Sequence, residues 1–122
     1  MQWINALSEC TETTASATAC FNADHFAVAG GAISEAALVE CMAQTVAAAL
    51  GHRALAKGRP DRARAGMLAA VSDFRIQTSP HLGKTLRIDV QERKRFGPML
   101  LVSGVVSCEG ETIASGELTL YA

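Results

Sequence analysis

The longest apolar stretch in the sequence predicts a helix that is apolar on almost every face. Residues 36–51 are Ala, Leu, Val, Cys, Met, Gln, Thr and Gly, and the only charged side chain among them is Glu40. We expect the helix to run from about Glu35 to Ala56, with Ser34 as its N-cap, because these residue types favour those positions. A helix without a broad polar face belongs in a protein core.

The rest of the chain reads as short strands separated by polar or glycine-containing turns. Strands are predicted at residues 3–7, 13–21, 67–78, 85–92, 99–108 and 112–121, with a polar turn at 8–12 and a glycine loop at 29–32. In the fourth of these, Leu86, Ile88 and Val90 alternate with polar side chains, which is the period of a half-buried strand. Hairpin turns are expected at residues 96–98 and 109–110.

The order of these elements predicts an α+β domain. One helix cannot cover both faces of a sheet, but an antiparallel sheet that curls around the helix covers it on all sides and has one covered face of its own. We therefore expect a single domain over residues 1–122 with a bent antiparallel sheet wrapped around one long central helix, the hot-dog fold. Its apolar edge strands would otherwise be unprotected, so we expect a dimer.

Composition and charge exclude several classes of protein. The chain has 122 residues and a formal net charge of -1, so it lacks the broad basic surface of a nucleic-acid-binding protein. Its four cysteines form no CxxC pair and have no spaced histidine partner, so no metal site is expected. The first residues do not resemble a secretory signal, which predicts a cytoplasmic location with reduced thiols. Glu40 and Gln44 interrupt the longest apolar run, which argues against a membrane span.

Glu40 is the candidate acid or base of the chain. Burying an unpaired carboxylate is costly unless it is hydrogen-bonded, and such residues concentrate at functional sites. Gln44 lies four residues further on, on the same helical face, where its amide can bond the carboxylate. The alternative is a structural role: a glutamate early in a helix can complement the positive end of the helix dipole or lie on a narrow exposed strip.

Three segments resemble the active-site region of hot-dog 3-hydroxyacyl-acyl-carrier-protein dehydratases. They are Asp24-His25-Phe26, Gly30-Gly31-Ala32-Ile33-Ser34 and Glu40-Cys41-Met42-Ala43-Gln44, the last of which matches the Glu-x-x-Ala-Gln signature of that family. The chain is most similar to the dehydratase-like proteins of aryl polyene gene clusters, and the likeness continues from Leu86 to Tyr121. It departs from the dehydratase pattern at Ala27-Val28, where the family has Pro-Gly, and at Ile33-Ser34-Glu35, where it has Met-Pro-Gly.

The resemblance implies a function and a set of site residues. It implies dehydration or hydration of a 3-hydroxyacyl thioester carried by acyl carrier protein or coenzyme A, as in fatty-acid or polyene biosynthesis, without a cofactor. His25 would act as base and Glu40 as acid, meeting across the interface of a homodimer or of a hetero-oligomer with another hot-dog subunit. Two further groups of residues are implied: Gly31, Ser34, Glu35 and Gln44 to bind substrate, and Lys57, Arg59, Arg62 and Arg64 to dock the acidic carrier.

Two other classes of function remain open at this point. In a hot-dog thioesterase, Glu40 would act as nucleophile or as general base for water at the thioester carbonyl, and His25 would be dispensable. In a non-catalytic partner, the chain would pair with an active hot-dog dehydratase subunit, which the altered segments at residues 27–28 and 33–35 make credible.

Overall fold

The computed structural model describes residues 4–20, 28–29, 32–33, 35–56, 58, 67–78 and 84–121. It contains one helix and eight strands in these ranges. In chain order they are β1 (Ile4–Cys10), β2 (Thr14–Cys20), β3 (Val28–Ala29), β4 (Ala32–Ile33), α1 (Glu35–Ala56), β5 (Met67–Ile76), β6 (Thr85–Phe96), β7 (Met99–Cys108) and β8 (Glu111–Tyr121).

Six of the strands form one antiparallel sheet in the order β1-β2-β6-β7-β8-β5. The helix contacts all six of them, including both edge strands. A flat sheet of six strands is about 24 Å across, whereas a helix with its side chains is about 10–12 Å wide. Contact with both edges therefore means that the sheet curves around the helix, and the predicted α+β architecture is confirmed.

The helix has the bounds that the sequence predicts, while some strands differ. β1 continues to Cys10, so the predicted polar turn at 8–12 is wrong over its first half. Its polar side chains lie on the solvated side of an outer strand, where Ser8 Oγ donates to the carbonyl oxygen of Ser16 at 3.1 Å. β6 runs to Phe96 rather than ending at residue 92. The predicted glycine loop is flanked by a short strand pair, with Ala29 opposite Ala32.

Small side chains allow the helix to lie close to the sheet. Ala15, Ala17 and Ala19 of β2 are all buried beneath it. On β7, a Cβ atom added to Gly104 would lie 2.8 Å from Sδ of Met42, which is fully buried on the helix. Because so few residues are aromatic, at 5%, the core is filled by close backbone approach as much as by large side chains.

A bulge in the edge strand β5 places an aromatic ring over the neighbouring strand. The register between β5 and β8 shifts between Ser72 and Arg75, and Asp73 has a φ of 52°. Such a bulge redirects the next side chain. Phe74 accordingly lies against Gly116 of β8, where an added Cβ would be 2.9 Å from Cδ2 of the ring and 3.1 Å from Cα of Phe74.

We expect Gly116→Ala to destabilise the protein more than Gly104→Ala. At Gly116 the new methyl group meets the backbone of Phe74, which cannot move without shifting β5, whereas at Gly104 it meets the flexible end of Met42. Overpacking of this kind costs about 1–3 kcal/mol, and urea unfolding of the two variants measures it. Equal losses of unfolding free energy would show that Met42 is as rigid as the β5 backbone.

Candidate active site

Glu40 and Gln44 form a polar pair on the N-terminal half of α1. Both side chains are half-buried, and Nε2 of Gln44 donates to Oε1 of Glu40 at 3.4 Å. The backbone N–H of Ile4, at the start of β1, donates to Oε1 of Gln44 at 3.2 Å. Because this donor requires the amide oxygen, it turns the amide nitrogen of Gln44 towards Glu40. The start of β1 therefore holds the pair in one orientation.

The position of Glu40 in the helix argues against one of its structural interpretations, that it complements the helix dipole. The helix begins at Glu35, so Glu40 lies in its second turn, and the stabilisation of a carboxylate by the helix dipole falls off within the first turn. Glu40 lies on a narrow, partly exposed strip of the helix, which continues through Gln44 to residues 47, 48 and 51. The carboxylate is thus a half-buried group bonded by Gln44, as the polar-pair interpretation predicts.

Cys41 lies next to this carboxylate and is not a nucleophile. Burial and, as the smaller cause, the negative charge of Glu40 together raise the pKa of the Cys41 thiol to about 12. The thiol is therefore protonated at neutral pH, and a protonated thiol is a poor nucleophile. Thr45, one turn further on, is also committed to structure, since its hydroxyl donates to the carbonyl oxygen of Cys41 at 2.8 Å.

Most of the other predicted site residues lie outside the described part of the chain. These are His25, Gly31, Ser34, Lys57, Arg59, Arg62 and Arg64. Glu35 is the first residue of α1, but its side chain also lies outside the description. The roles of these residues stay predictions. The strand pair β3–β4 leads into the helix, because Ile33 precedes Glu35 by two residues.

Two contacts that fix the helix were not predicted from the sequence. One is the bond from Ile4 to Gln44. The other is at the opposite end, where Nε of Arg53 donates to the carbonyl oxygen of Thr11 at 2.7 Å and a terminal nitrogen donates to that of Thr14 at 3.2 Å. Arg53 also lies 3.7 Å from a carboxylate oxygen of Glu92. A cation in the last helical turn, near a polar turn, is the signal that could have revealed it.

The described residues contain neither a metal cluster nor a membrane-spanning helix. No three His, Cys, Asp or Glu side chains in these ranges are grouped so that they could hold a metal ion. Within the same ranges, no helix combines the length and the apolarity needed to cross a bilayer.

Comparison with protein families gives a match over the whole chain. Residues 1–122 match the ApeP-like family, described as ApeP dehydratase. The chain belongs to the ApeP-like family. A search of curated proteins gave no match.

Solved structures share the fold at low sequence identity. The chain is similar to a structure of the dehydratase heterocomplex ApeI:P from Xenorhabdus doucetiae, with a TM-score of 0.86 and 19% identity over 98% of this chain and 82% of that one. It is also similar to smu.793 from Streptococcus mutans bound to acetyl CoA, with a TM-score of 0.75 and 13% identity over 98% and 88%. A third is zebra fish thioesterase superfamily member 2, with a TM-score of 0.72 and 13% identity over 94% and 78%. These likenesses confirm the hot-dog fold.

We expect the free energy of unfolding to depend on pH through the protonation of the Cys41 thiol. The folded thiol has a pKa of about 12 and the unfolded thiol loses its proton near its ordinary value of 9.0, so the folded state binds more protons between those pH values. The free energy of unfolding should therefore fall as pH rises through this window, by up to about 1.4 kcal/mol per pH unit. Urea unfolding of the wild type and Cys41→Ala at pH 9 to 11 measures the difference in slope.

Glu40→Gln provides the matched control for that measurement. Removing the carboxylate charge should lower the pKa of Cys41, so the decline in unfolding free energy should begin to level off at a lower pH than in the wild type. A Cys41→Ala protein whose stability falls as steeply as that of the wild type would contradict the assignment to this thiol.

Proposed function

We propose that this chain is a hot-dog subunit that dehydrates or hydrates 3-hydroxyacyl thioesters in fatty-acid or polyene-type biosynthesis. The thioester would be carried by acyl carrier protein or coenzyme A. Membership of the ApeP-like dehydratase family supports this class of reaction. The observation that carries the proposal is the half-buried Glu40 carboxylate, bonded by Gln44, which in turn is oriented by the backbone of β1.

The reaction requires two proton transfers at neighbouring carbons. His25 takes the proton from C2, a role that histidine side chains often have in catalysis. Glu40 protonates the hydroxyl group at C3, which leaves as water while the C2–H bond electrons form the C2=C3 double bond. The thioester carbonyl gains enolate character during this step and needs hydrogen-bond donors. The positive end of the α1 dipole is suited to that task, with Gly31, Ser34, Glu35 and Gln44 as substrate-binding residues.

A second hot-dog subunit belongs to this proposal. The similar structure from Xenorhabdus doucetiae is that of a dehydratase heterocomplex. In the sheet, β5 is an outer strand that pairs with β8 on one side only, and its Val71 and Ile76 are 41% and 43% exposed. Apolar side chains on an outer strand favour pairing with another sheet. The partner would be a second copy or another hot-dog subunit, with His25 and Glu40 contributed by different chains.

Substitution of the two proposed catalytic residues separates the three classes of function. Removing a general acid or base costs about 10²- to 10⁴-fold in rate. In a dehydratase, His25→Ala and Glu40→Gln should each reduce hydration of an enoyl thioester by that factor. In a thioesterase, Glu40→Gln alone should abolish hydrolysis. In a non-catalytic partner, neither variant has activity to lose, and the activity belongs to the partner subunit. Steady-state assays of enoyl and 3-hydroxyacyl thioesters distinguish these outcomes.

Stability provides the control for those assays. Glu40→Gln should be neutral or mildly stabilising, because it replaces an ionisable group inside the fold with a neutral isostere. Urea unfolding of the variant tests this. Severe destabilisation would instead mark Glu40 as a structural residue and would remove the basis for the proposed acid.

We expect lysine substitutions on β5 to weaken the association of subunits. Val71→Lys and Ile76→Lys place a charge on the outer strand that would pair with the partner, and desolvating that charge opposes pairing. Sedimentation velocity at micromolar concentration, with the chain alone and with a second hot-dog subunit, should show loss of the dimer.

The matched control for this test is Val105→Lys. Val105 is 38% exposed, but it lies on β7 in the middle of the sheet, away from the outer strand. This variant should associate as the wild type does. A wild-type protein that stays monomeric, both alone and in the presence of a second hot-dog subunit, would overturn the proposed pairing.

A further inference from the structure

The tip of the β6–β7 hairpin is a highly exposed part of the sheet. All side chains of residues 93–98 are exposed, and three consecutive residues are cations: Arg93, Lys94 and Arg95. A shift in register between Glu92 and Lys94 interrupts the alternation of the strand. Burial against the helix ends before this point, with Val90 the last buried residue of β6. We call residues 93–98 the cationic arm.

The positive charge of the cationic arm is only partly neutralised. Arg95 lies 3.5 Å from Glu92, but the same carboxylate also pairs with Arg53. Arg93 donates to the neutral amide oxygen of Gln91 at 3.2 Å. Lys94 pairs with no carboxylate among the described residues. Three cations and one anion in residues 92–95 give this short segment a net charge of +2, in a chain whose net charge is -1.

An aromatic ring accompanies these charges. Phe96 is 51% exposed, and Nζ of Lys94 lies 4.7 Å from the centroid of its ring. Aromatic side chains and arginine are enriched where surfaces bind other proteins, and charge complementarity guides such encounters. The arm therefore offers an exposed apolar ring beside its cations.

The position of the cationic arm agrees with a docking role. Met99, where β7 leaves the arm, pairs with Tyr121, and Tyr121 also pairs with Met67 at the start of β5. The arm thus stands at the end of the sheet where the chain returns after residues 57–64, the segment for which the sequence predicts carrier docking. A net charge of +2 in four residues suits a local contact with an acidic protein rather than a long polyanion.

We propose that the cationic arm is a docking surface for an acidic acyl carrier protein, an inference that rests on the proposed function. Arg93 and Lys94 supply cations that face no carboxylate in the described part of the chain, and Phe96 supplies an apolar contact between them and the turn. The arm lies at the end of α1 opposite to Glu40, so it acts on the carrier and not on the reacting atoms.

The test compares two lysines at opposite ends of β6. Lys94→Glu reverses a charge on the cationic arm, and Lys84→Glu reverses an exposed charge beside Glu109 at the other end, where the two side chains are 3.1 Å apart. Lys94→Glu should raise the KM for a carrier-bound enoyl substrate about 5-fold at low salt. Neither kcat nor the KM for a small N-acetylcysteamine thioester should change. The effect should vanish in high salt, which screens exposed charges. Lys84→Glu should change none of these values.

Direct binding separates failure of the docking surface from failure of the proposed function. Fluorescence anisotropy of a labelled acyl carrier protein measures affinity without any reaction. Weaker carrier binding by Lys94→Glu than by Lys84→Glu supports the docking surface even if no dehydration is found. Equal affinity of the two variants, with normal turnover of the small thioester, overturns the docking surface and leaves the proposed function standing. A raised KM for a coenzyme A thioester, with unchanged affinity for the carrier protein, also overturns it.

Discussion

The fold depends on the close contact between one apolar helix and the concave face of a curved sheet. A helix with apolar residues on nearly every face is stable in water only if it is covered all round, and the six-stranded sheet contacts it from edge to edge. The contact is close because the facing residues are small: alanines on β2, and Gly104 beneath Met42. Side-chain volume on either surface would separate the two layers.

This packing also determines where polar side chains can lie on the helix. The sheet-facing positions of α1 are buried, so Glu40 and Gln44 occupy the remaining side, where the start of β1 supplies a backbone donor. That donor fixes the amide of Gln44, and the amide then bonds the carboxylate. At the other end of the helix, Arg53 bonds two carbonyl groups near the β1–β2 turn. The same strand region therefore holds the middle of the helix through Gln44 and its last turns through Arg53, and the angular position of Glu40 is a consequence of the fold.

The sequence predicts the helix well because its signal is local. Residues 35–56 carry an unbroken apolar pattern, and a charged residue within it stands out without knowledge of the neighbours. β1 and β6 were predicted less well, because polar residues on a solvated outer strand, or on an exposed hairpin, have no period to read. The bond between Gln44 and Ile4 joins residues 40 positions apart. Only the packed structure reveals a contact of that kind, whereas the pairing of Glu40 with Gln44 follows from helical spacing alone.

Under the proposed function, the arrangement around Glu40 is compatible with more than one thioester reaction. A carboxylate held in a fixed orientation can donate a proton to a leaving hydroxyl, activate water or remain structural, and nothing in its own bonds distinguishes these uses. The distinguishing group is the one placed opposite to it. With a base beside C2, the carboxylate can assist elimination of water. With a water molecule beside the carbonyl carbon, it can assist hydrolysis of the thioester. Under the proposed function, α1 supplies the carboxylate and its amide partner, and the class of reaction would depend on the group that faces them, a role the proposal gives to His25.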